Sequence, residues 1–367
     1  MSDPAVSRHA ALRTFLGNAG WGDARTVHIN GDASTRSYTR LFVEGGDTAI
    51  LMDLPQAPDG PPMRDGRPYS QIAHLAEEMR PFVAVADALR EVGLAAPRIL
   101  AADYGHGFLL LEDFGDTVFT ELAAKGEDML AYYGQAVDAL LALRAHPPAP
   151  ELHSADGLAY TLPLYDREAL HIETELLTDW LLPAIRGGEV PPEVRAEFTH
   201  SWDEQFDWLL TLPTGWVLRD YHSPNLIWRE SESGLQRLGL IDFQDALRGH
   251  LAYDLVSLLQ DARLDLPEVI EPTLLAEYCD KAASADPSFN RDDFLRAYRL
   301  LGAQRNTKIL GIFARLARRD GKRGYIRHIP RIARYLAANL ADPALARLQA
   351  WYERELPSDI AALTSRL

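Results

Sequence analysis

Between His28 and Leu54 polar and apolar residues alternate, with breaks at Asn30-Gly31-Asp32 and Gly45-Gly46-Asp47. A period of two punctuated by Gly, Asn and Asp predicts successive antiparallel strands joined by tight turns. The Pro/Gly-rich stretch 55–68 predicts an irregular loop. Tyr69 to Val92 then repeats apolar residues at helical spacing and stops near Gly93, and Ile99 to Tyr104 and Phe108 to Leu111 predict two further strands. The polar run Glu112-Asp113-Phe114-Gly115-Asp116 interrupts the pattern. Beyond it the periodicity is helical at Tyr132 to Ala145, Ala169 to Leu182, Pro192 to Leu212, Leu274 to Ala283, Asp292 to Leu316 and Ile329 to Leu340. One island, Gly215 to Asp245, is not: a turn-like Asp220 to Pro224, apolar Leu226-Ile227-Trp228, a polar turn at Glu230 to Gly234 and apolar Leu238 to Ile241 predict a β-hairpin on a helical body. The expectation is an α+β chain with a small sheet-and-helix lobe (1–111), a hinge (112–116) and a larger helical lobe (117–367).

Composition narrows the class. At 47% hydrophobic and 25% charged, the chain has ordinary globular content and enough length for two lobes with cores. No apolar run approaches the roughly 18 residues of a membrane span, and the start lacks a basic-then-apolar leader, so a cytoplasmic protein is expected. The single cysteine, Cys279, excludes an intramolecular disulfide and predicts a buried, inert thiol. A net charge of −16 disfavours nucleic acid and acidic membranes as partners. Lysine stands only at Lys125, Lys281, Lys308 and Lys322, with none in the first third of the chain.

The hairpin island carries the chemistry. Leu218-Arg219-Asp220-Tyr221-His222-Ser223-Pro224-Asn225 follows the kinase catalytic-loop pattern D-x-x-x-x-N, and Ile241-Asp242-Phe243 ends the later strand as a metal-binding D-F-G does. A hydroxyl attacking a γ-phosphorus must lose its proton to a nearby carboxylate, for which Asp220 is the candidate. Phosphates require Mg²⁺, which prefers oxygen ligands, and Asn225 with Asp242 supplies a suitable pair. ATP and Mg²⁺ are therefore the expected cofactors. Gly31, Asp32, Ala33, Ser34 and Thr35 can form a small-residue turn over the triphosphate; an ordinary hairpin turn reads the same. The strand where such folds place a phosphate-holding lysine reads Ala49-Ile50-Leu51-Met52-Asp53, with Met52 at the lysine position. Arg36 and, second to it, Arg40 share a strand face with Tyr38 and are the candidate replacements; two solvated arginines are the competing reading. Adenine is expected at the hinge, between Glu112 and Phe114.

The loop resembles that of the aminoglycoside phosphotransferase and choline kinase superfamily, usually H-G-D-x-H-x-x-N followed by I-D-[FW]. Asp220, His222, Asn225 and Asp242 match, while Leu218 and Arg219 depart from the usual His and Gly. The resemblance implies a bilobal protein-kinase-like fold and loop-bracing roles for His222 and Asp254, the latter in Tyr253-Asp254-Leu255; a helix N-terminal charge explains Asp254 equally. Three further stretches narrow it: Gly31 to Tyr38, Leu51-Met52-Asp53-Leu54-Pro55, and Gln304 to Arg315, with Arg319 to Lys322 and Ile329-Pro330-Arg331. These resemble the N-acetylmuramate/N-acetylglucosamine anomeric kinases of bacterial cell-wall recycling over nearly the whole chain. That likeness implies ATP-dependent phosphorylation of an amino sugar to its 1-phosphate. Glu175, Asp179 and Trp180 on one helical stretch and Arg305 and Lys308 on another are the candidate sugar contacts, and surface positions on amphipathic helices fit the same pattern. An aminoglycoside or amino-alcohol phosphotransferase and a non-catalytic nucleotide-binding module remain open.

Overall fold

The computed structural model of the protein describes residues 4–29, 36–56, 60–357 and 364–367, with side chains from residue 8 onward. Five antiparallel strands form the N-terminal sheet: β1 (Arg25–Ile29), β2 (Ser37–Phe42), β3 (Thr48–Asp53), β4 (Ile99–Asp103) and β5 (Phe108–Glu112), in the order β1-β2-β3-β5-β4. The turn between β2 and β3 uses Gly45 and Gly46 at φ 112° and 99°, conformations that side chains disfavour.

The uninterrupted apolar run of β5 follows from cover on both faces. Phe108 and Leu110, with Leu41, Ala49 and Leu51, pack on Phe15 and Leu16 of helix α1 (Pro4–Asn18). Leu109, Leu111 and Met52 face the other way, into the core that holds Phe82, Val83 and Leu89 of α2 (Arg80–Glu91). Met52 is thus a fully buried core residue, and α2 offers it an apolar face. The helix predicted over Tyr69 to Val92 is in fact a short turn at Tyr69–Ile72 and, after a break, α2, which has Pro81 in its first turn. The stretch read as irregular, 55–68, contains a small ribbon, Pro62–Arg64 paired with Arg67–Pro68.

The C-terminal part is mostly helical, and the fold class matches the expectation. Helices α3 (Met129–Ala145), α4 (Arg167–Leu176), α5 (Pro192–Leu209), α6 (Ala252–Leu259), α7 (Arg291–Arg318) and α8 (Ile329–Leu340) position the site. α4 runs into a π-helical turn, Leu177–Leu181, where α7 comes close: a Cβ on Gly311 would lie 2.4 Å from the Leu176 carbonyl carbon. The predicted hairpin is present as β6 (Leu226–Trp228) antiparallel to β7 (Leu238–Leu240). Cys279 is buried as a free thiol. Among the described residues no helix is long and apolar enough to cross a membrane.

Candidate active site

The hairpin β6–β7 and the loops at its ends bring Asp220, Asn225 and Asp242 around one small void, walled by Leu218, Tyr221, Leu226, Leu240, Ile241 and Phe243. Asn225 Nδ2 donates to the Asp220 carbonyl at 2.9 Å and stands 3.4 Å from Asp242 Oδ2, so the carboxamide and carboxylate predicted as a pair face one another. Asp242 adopts φ 60° and Arg219 φ 68°, both in the left-handed region. Backbone strain of this kind persists only where surrounding contacts impose it.

Around Arg219 those contacts come from one helix and the residues just after it. Asp254 of α6, 1% exposed, accepts from the N–H of Leu218 at 2.6 Å and of Arg219 at 3.0 Å. Ser257 Oγ donates to the Arg219 carbonyl at 3.2 Å. Asp261, just past the helix, accepts from the N–H of Ser223 at 2.8 Å. Burial pushes the Asp254 carboxyl up to about 7 against the pull of its two amide donors.

Asp220 is partly open, its side chain 44% exposed, with His222 Nε2 3.7 Å from Oδ1. Burial raises its carboxyl, but His222 and the charges of Lys308 and Arg219 outweigh that and hold it well below the usual carboxylate range. Asp242 moves the opposite way: burial and the negative charge of Asp220 push it up to about 6, with Gln244 and Arg36 opposing. With Asp245 also nearby, the site concentrates negative charge that Arg36 alone offsets only in part. Among the described residues no group of three or more His, Cys, Asp or Glu could hold a metal unaided. The donor set of one carboxylate and one carboxamide, in a carboxylate-rich void, fits Mg²⁺, which characteristically takes one or two protein oxygens and completes its shell with phosphate and water.

Of the predicted nucleotide contacts, Gly31, Asp32, Ala33, Ser34 and Thr35 lie outside the described residues. Arg36 reaches the Asp242 end of the site: its guanidinium is 3.8 Å from Asp242, 3.9 Å from Asp245, and donates to the Ala76 carbonyl at 3.1 Å. Arg40 ties β2 to the segment after β5, pairing with Asp113 at 2.7 Å and Asp116 at 2.6 Å. Glu112 pairs with Arg98 and Arg229, and the Phe114 ring lies under Arg229, 4.3 Å from its Cζ, and against Gly239, where a Cβ would come within 2.6 Å of it.

The predicted sugar contacts separate. Lys308 lies beside the catalytic loop but gives its Nζ to Glu173 at 2.8 Å. Glu175 is held by Arg64 of the ribbon at 2.8 Å. Arg305 is buried where its charge acts on Asp254. Asp179 pairs with Arg195 at 2.6 Å and lines an open cavity of about 570 Å³ that shares no residue with the void at Asp220; Trp180, beside it in the chain, packs half-buried on the core.

Sequence reasoning overlooked Glu173, fully buried on α4, and Asp261. Asp261 stands seven residues after Asp254, two helical turns, which was a usable signal. Glu173 stood out only as a charge among buried positions of α4.

The sequence profile described as the phosphotransferase enzyme family matches residues 26–295. The chain belongs to this family. Within it, the protein is 40% identical over 359 residues to the N-acetylmuramate/N-acetylglucosamine kinase of Caulobacter vibrioides, covering 95% of this chain and 97% of that protein. It is 38% identical over 339 residues to the enzyme of the same name from Pseudomonas aeruginosa, covering 90% and 89%. Its fold is also that of amicoumacin kinase in complex with AMP-PNP and Ca²⁺, with a TM-score of 0.54 at 13% identity, over 92% of this phosphotransferase and 96% of that chain. The resemblance read from the sequence is thereby borne out.

Proposed function

We propose that this phosphotransferase moves the γ-phosphoryl group of ATP onto the anomeric hydroxyl of N-acetylmuramate and N-acetylglucosamine, giving the sugar 1-phosphates in the cytoplasmic recycling of peptidoglycan. The observation that carries this reading is the end-to-end likeness to the Caulobacter kinase, at 40% identity over 97% of its length.

The geometry supports a direct in-line transfer. Asp220, exposed toward the cleft and kept ionised, takes the proton from the anomeric O–H as that oxygen bonds to phosphorus. The bond from phosphorus to the β,γ-bridging oxygen breaks, and ADP leaves with the electron pair. A carboxylate this weakly basic suffices because a hemiacetal hydroxyl is more acidic than an ordinary alcohol and because the proton moves during the transfer. Asn225 and Asp242 would hold Mg²⁺, which would neutralise charge on the phosphate oxygens. Arg36, at the Asp242 end, is placed to take over the charge that a lysine at position 52 would supply. The adenine lies at the hinge segment 112–114, and His222 and Asp254 hold the loop.

The test is ³¹P and ¹H NMR of the products formed from ATP and Mg²⁺ with N-acetylmuramate, N-acetylglucosamine, choline or kanamycin. Phosphorylation at C1 of the two amino sugars is expected. Turnover confined to choline or kanamycin, or to a non-anomeric hydroxyl, overturns the assignment.

A further inference from the structure

Arg219 precedes Asp220 directly and sits at φ 68°, a conformation that costs an L-residue about 1 kcal/mol and glycine almost nothing. The turn therefore does not call for arginine. The side chain must have another task, and its surroundings show which.

Arg219 is 2% exposed, and its guanidinium contacts lead to two walls beside the loop. Nη1 donates to the Ala73 carbonyl at 2.7 Å, in the segment joining the N-terminal sheet to α2. Nη2 pairs with the Glu173 carboxylate on α4. The guanidinium also stands 5.9 Å from the Tyr165 ring. Glu173 in turn receives Lys308 Nζ at 2.8 Å and Gln304 Nε2 at 3.0 Å, both from α7, and the Tyr165 hydroxyl. The segment around Ala73 is fixed again three residues on, where the Ala76 N–H donates to Asp245 at 2.6 Å. Ile72 and Ala73 pack on Ile172 of α4, so the two walls are in contact beside the arginine. Three parts of the chain that lie far apart in sequence thus converge on the guanidinium of the residue peptide-bonded to Asp220.

We propose that Arg219 is a positioning residue for the phosphoryl transfer: it locks the Asp220 backbone to Ala73 and, through Glu173, to Lys308 of α7, so that these packed elements fix the alignment of the base. Its effect is on alignment of the base, and nucleotide binding at the hinge is not involved. The proposal rests on Asp220 being the base of the reaction given above.

Arg219→Gly removes the side chain while relieving the backbone, and Arg219→Lys keeps the charge on Glu173 but cannot also reach the Ala73 carbonyl. With kcat referred to the concentration of folded, nucleotide-binding protein, R219G is expected to lose about tenfold or more in kcat, in line with the sensitivity of transfer to small misplacements. Its KM for ATP stays within about twofold, and R219K recovers part of the loss. R219G with kcat within about twofold of the parent overturns the proposal, as does a loss in which KM for ATP rises in step with the fall in kcat. Should R219G not fold, R219K decides: parental kcat with only a lowered Tm overturns it, and a kcat loss at unchanged KM for ATP supports it. The comparison uses whichever acceptor the parent protein phosphorylates. A parent inactive on both amino sugars therefore sinks the assigned activity without deciding the role of Arg219.

Discussion

Replacing Asp254 by alanine removes the two carboxylate oxygens that accept from the Leu218 and Arg219 N–H groups of the loop. The buried N–H groups of Leu218 and Arg219, now at 2.6 and 3.0 Å from its carboxylate oxygens, are left without partners. Each orphaned buried donor costs about 1–3 kcal/mol, so the pair amounts to about 4 kcal/mol. Unfolding entropy of about 2.1 cal/mol/K per residue, over 367 residues, gives about 0.8 kcal/mol/K. The expected fall in Tm is therefore about 5 °C, modest enough that the protein stays folded at 25 °C. The effect on catalysis is larger, because the freed residues immediately precede Asp220 and a displacement of about 1 Å at the reacting centre costs about a hundredfold in rate. Denaturant unfolding and a coupled ADP-release assay on the same preparation read both quantities. A stability loss under about 1 kcal/mol together with kcat within about threefold of the parent would show that Asp254 braces nothing.

Asp220→Asn should lower kcat by about 10²–10⁴-fold while a fluorescent ATP analogue binds as before; unchanged turnover removes Asp220 as the base. Asp242→Ala, or chelation of divalent ions by EDTA, should abolish turnover, with excess Mg²⁺ restoring activity only to the chelated parent. Met52→Lys should not activate the enzyme: it buries an ammonium against the apolar face of α2 and should cost about 2–5 kcal/mol in urea unfolding. Glu173 is held down at about 2, Lys308 and Arg219 outweighing its burial. A depressed folded-state value contributes stability that is present above the unfolded value of about 4.3 and is lost as pH falls toward 2, on the order of 3 kcal/mol in all. Glu173→Gln should lower stability at pH 7 and flatten the acid limb of the stability profile between about pH 4.5 and 2; an unchanged limb refutes that account.

The hairpin with Asp220, Asn225 and Asp242 was legible in the sequence because its signals are local, a loop, two short apolar runs and a polar turn within one stretch. The strands were legible for the same reason. Helix α1 escaped because its apolar residues have no dominant face, and the uninterrupted apolar run Phe108 to Leu111 of β5 is explained only once both sides of the sheet are covered. The helix expected from Tyr69 onward breaks at His74, which takes φ 53° and bonds to Asp166 at 2.9 Å, a partner 92 residues away that no local pattern announces. The same holds for Arg40, a charge on a strand face whose pairing with Asp113 and Asp116, more than 70 residues away, no local pattern announces. Glu173 is the strongest case, since a lone buried carboxylate acquires meaning only from Arg219 and Lys308.

The contacts that shape the proposed base and metal site span short stretches of chain: 17 residues from Asn225 to Asp242, and 35 to 38 from the loop to Asp254, Ser257 and Asp261. Closing loops of that length is entropically cheap, so the phosphoryl-transfer unit can assemble early in folding from its own neighbourhood. The contact of Arg219 with Glu173, 46 residues away, closes a loop only slightly longer, whereas that with Ala73, 146 residues away, costs about 1 kcal/mol more in closure entropy. In refolding from denaturant, the bonds within the 218–261 neighbourhood would then close ahead of the tie to Ala73, which makes that tie the last clasp on the loop.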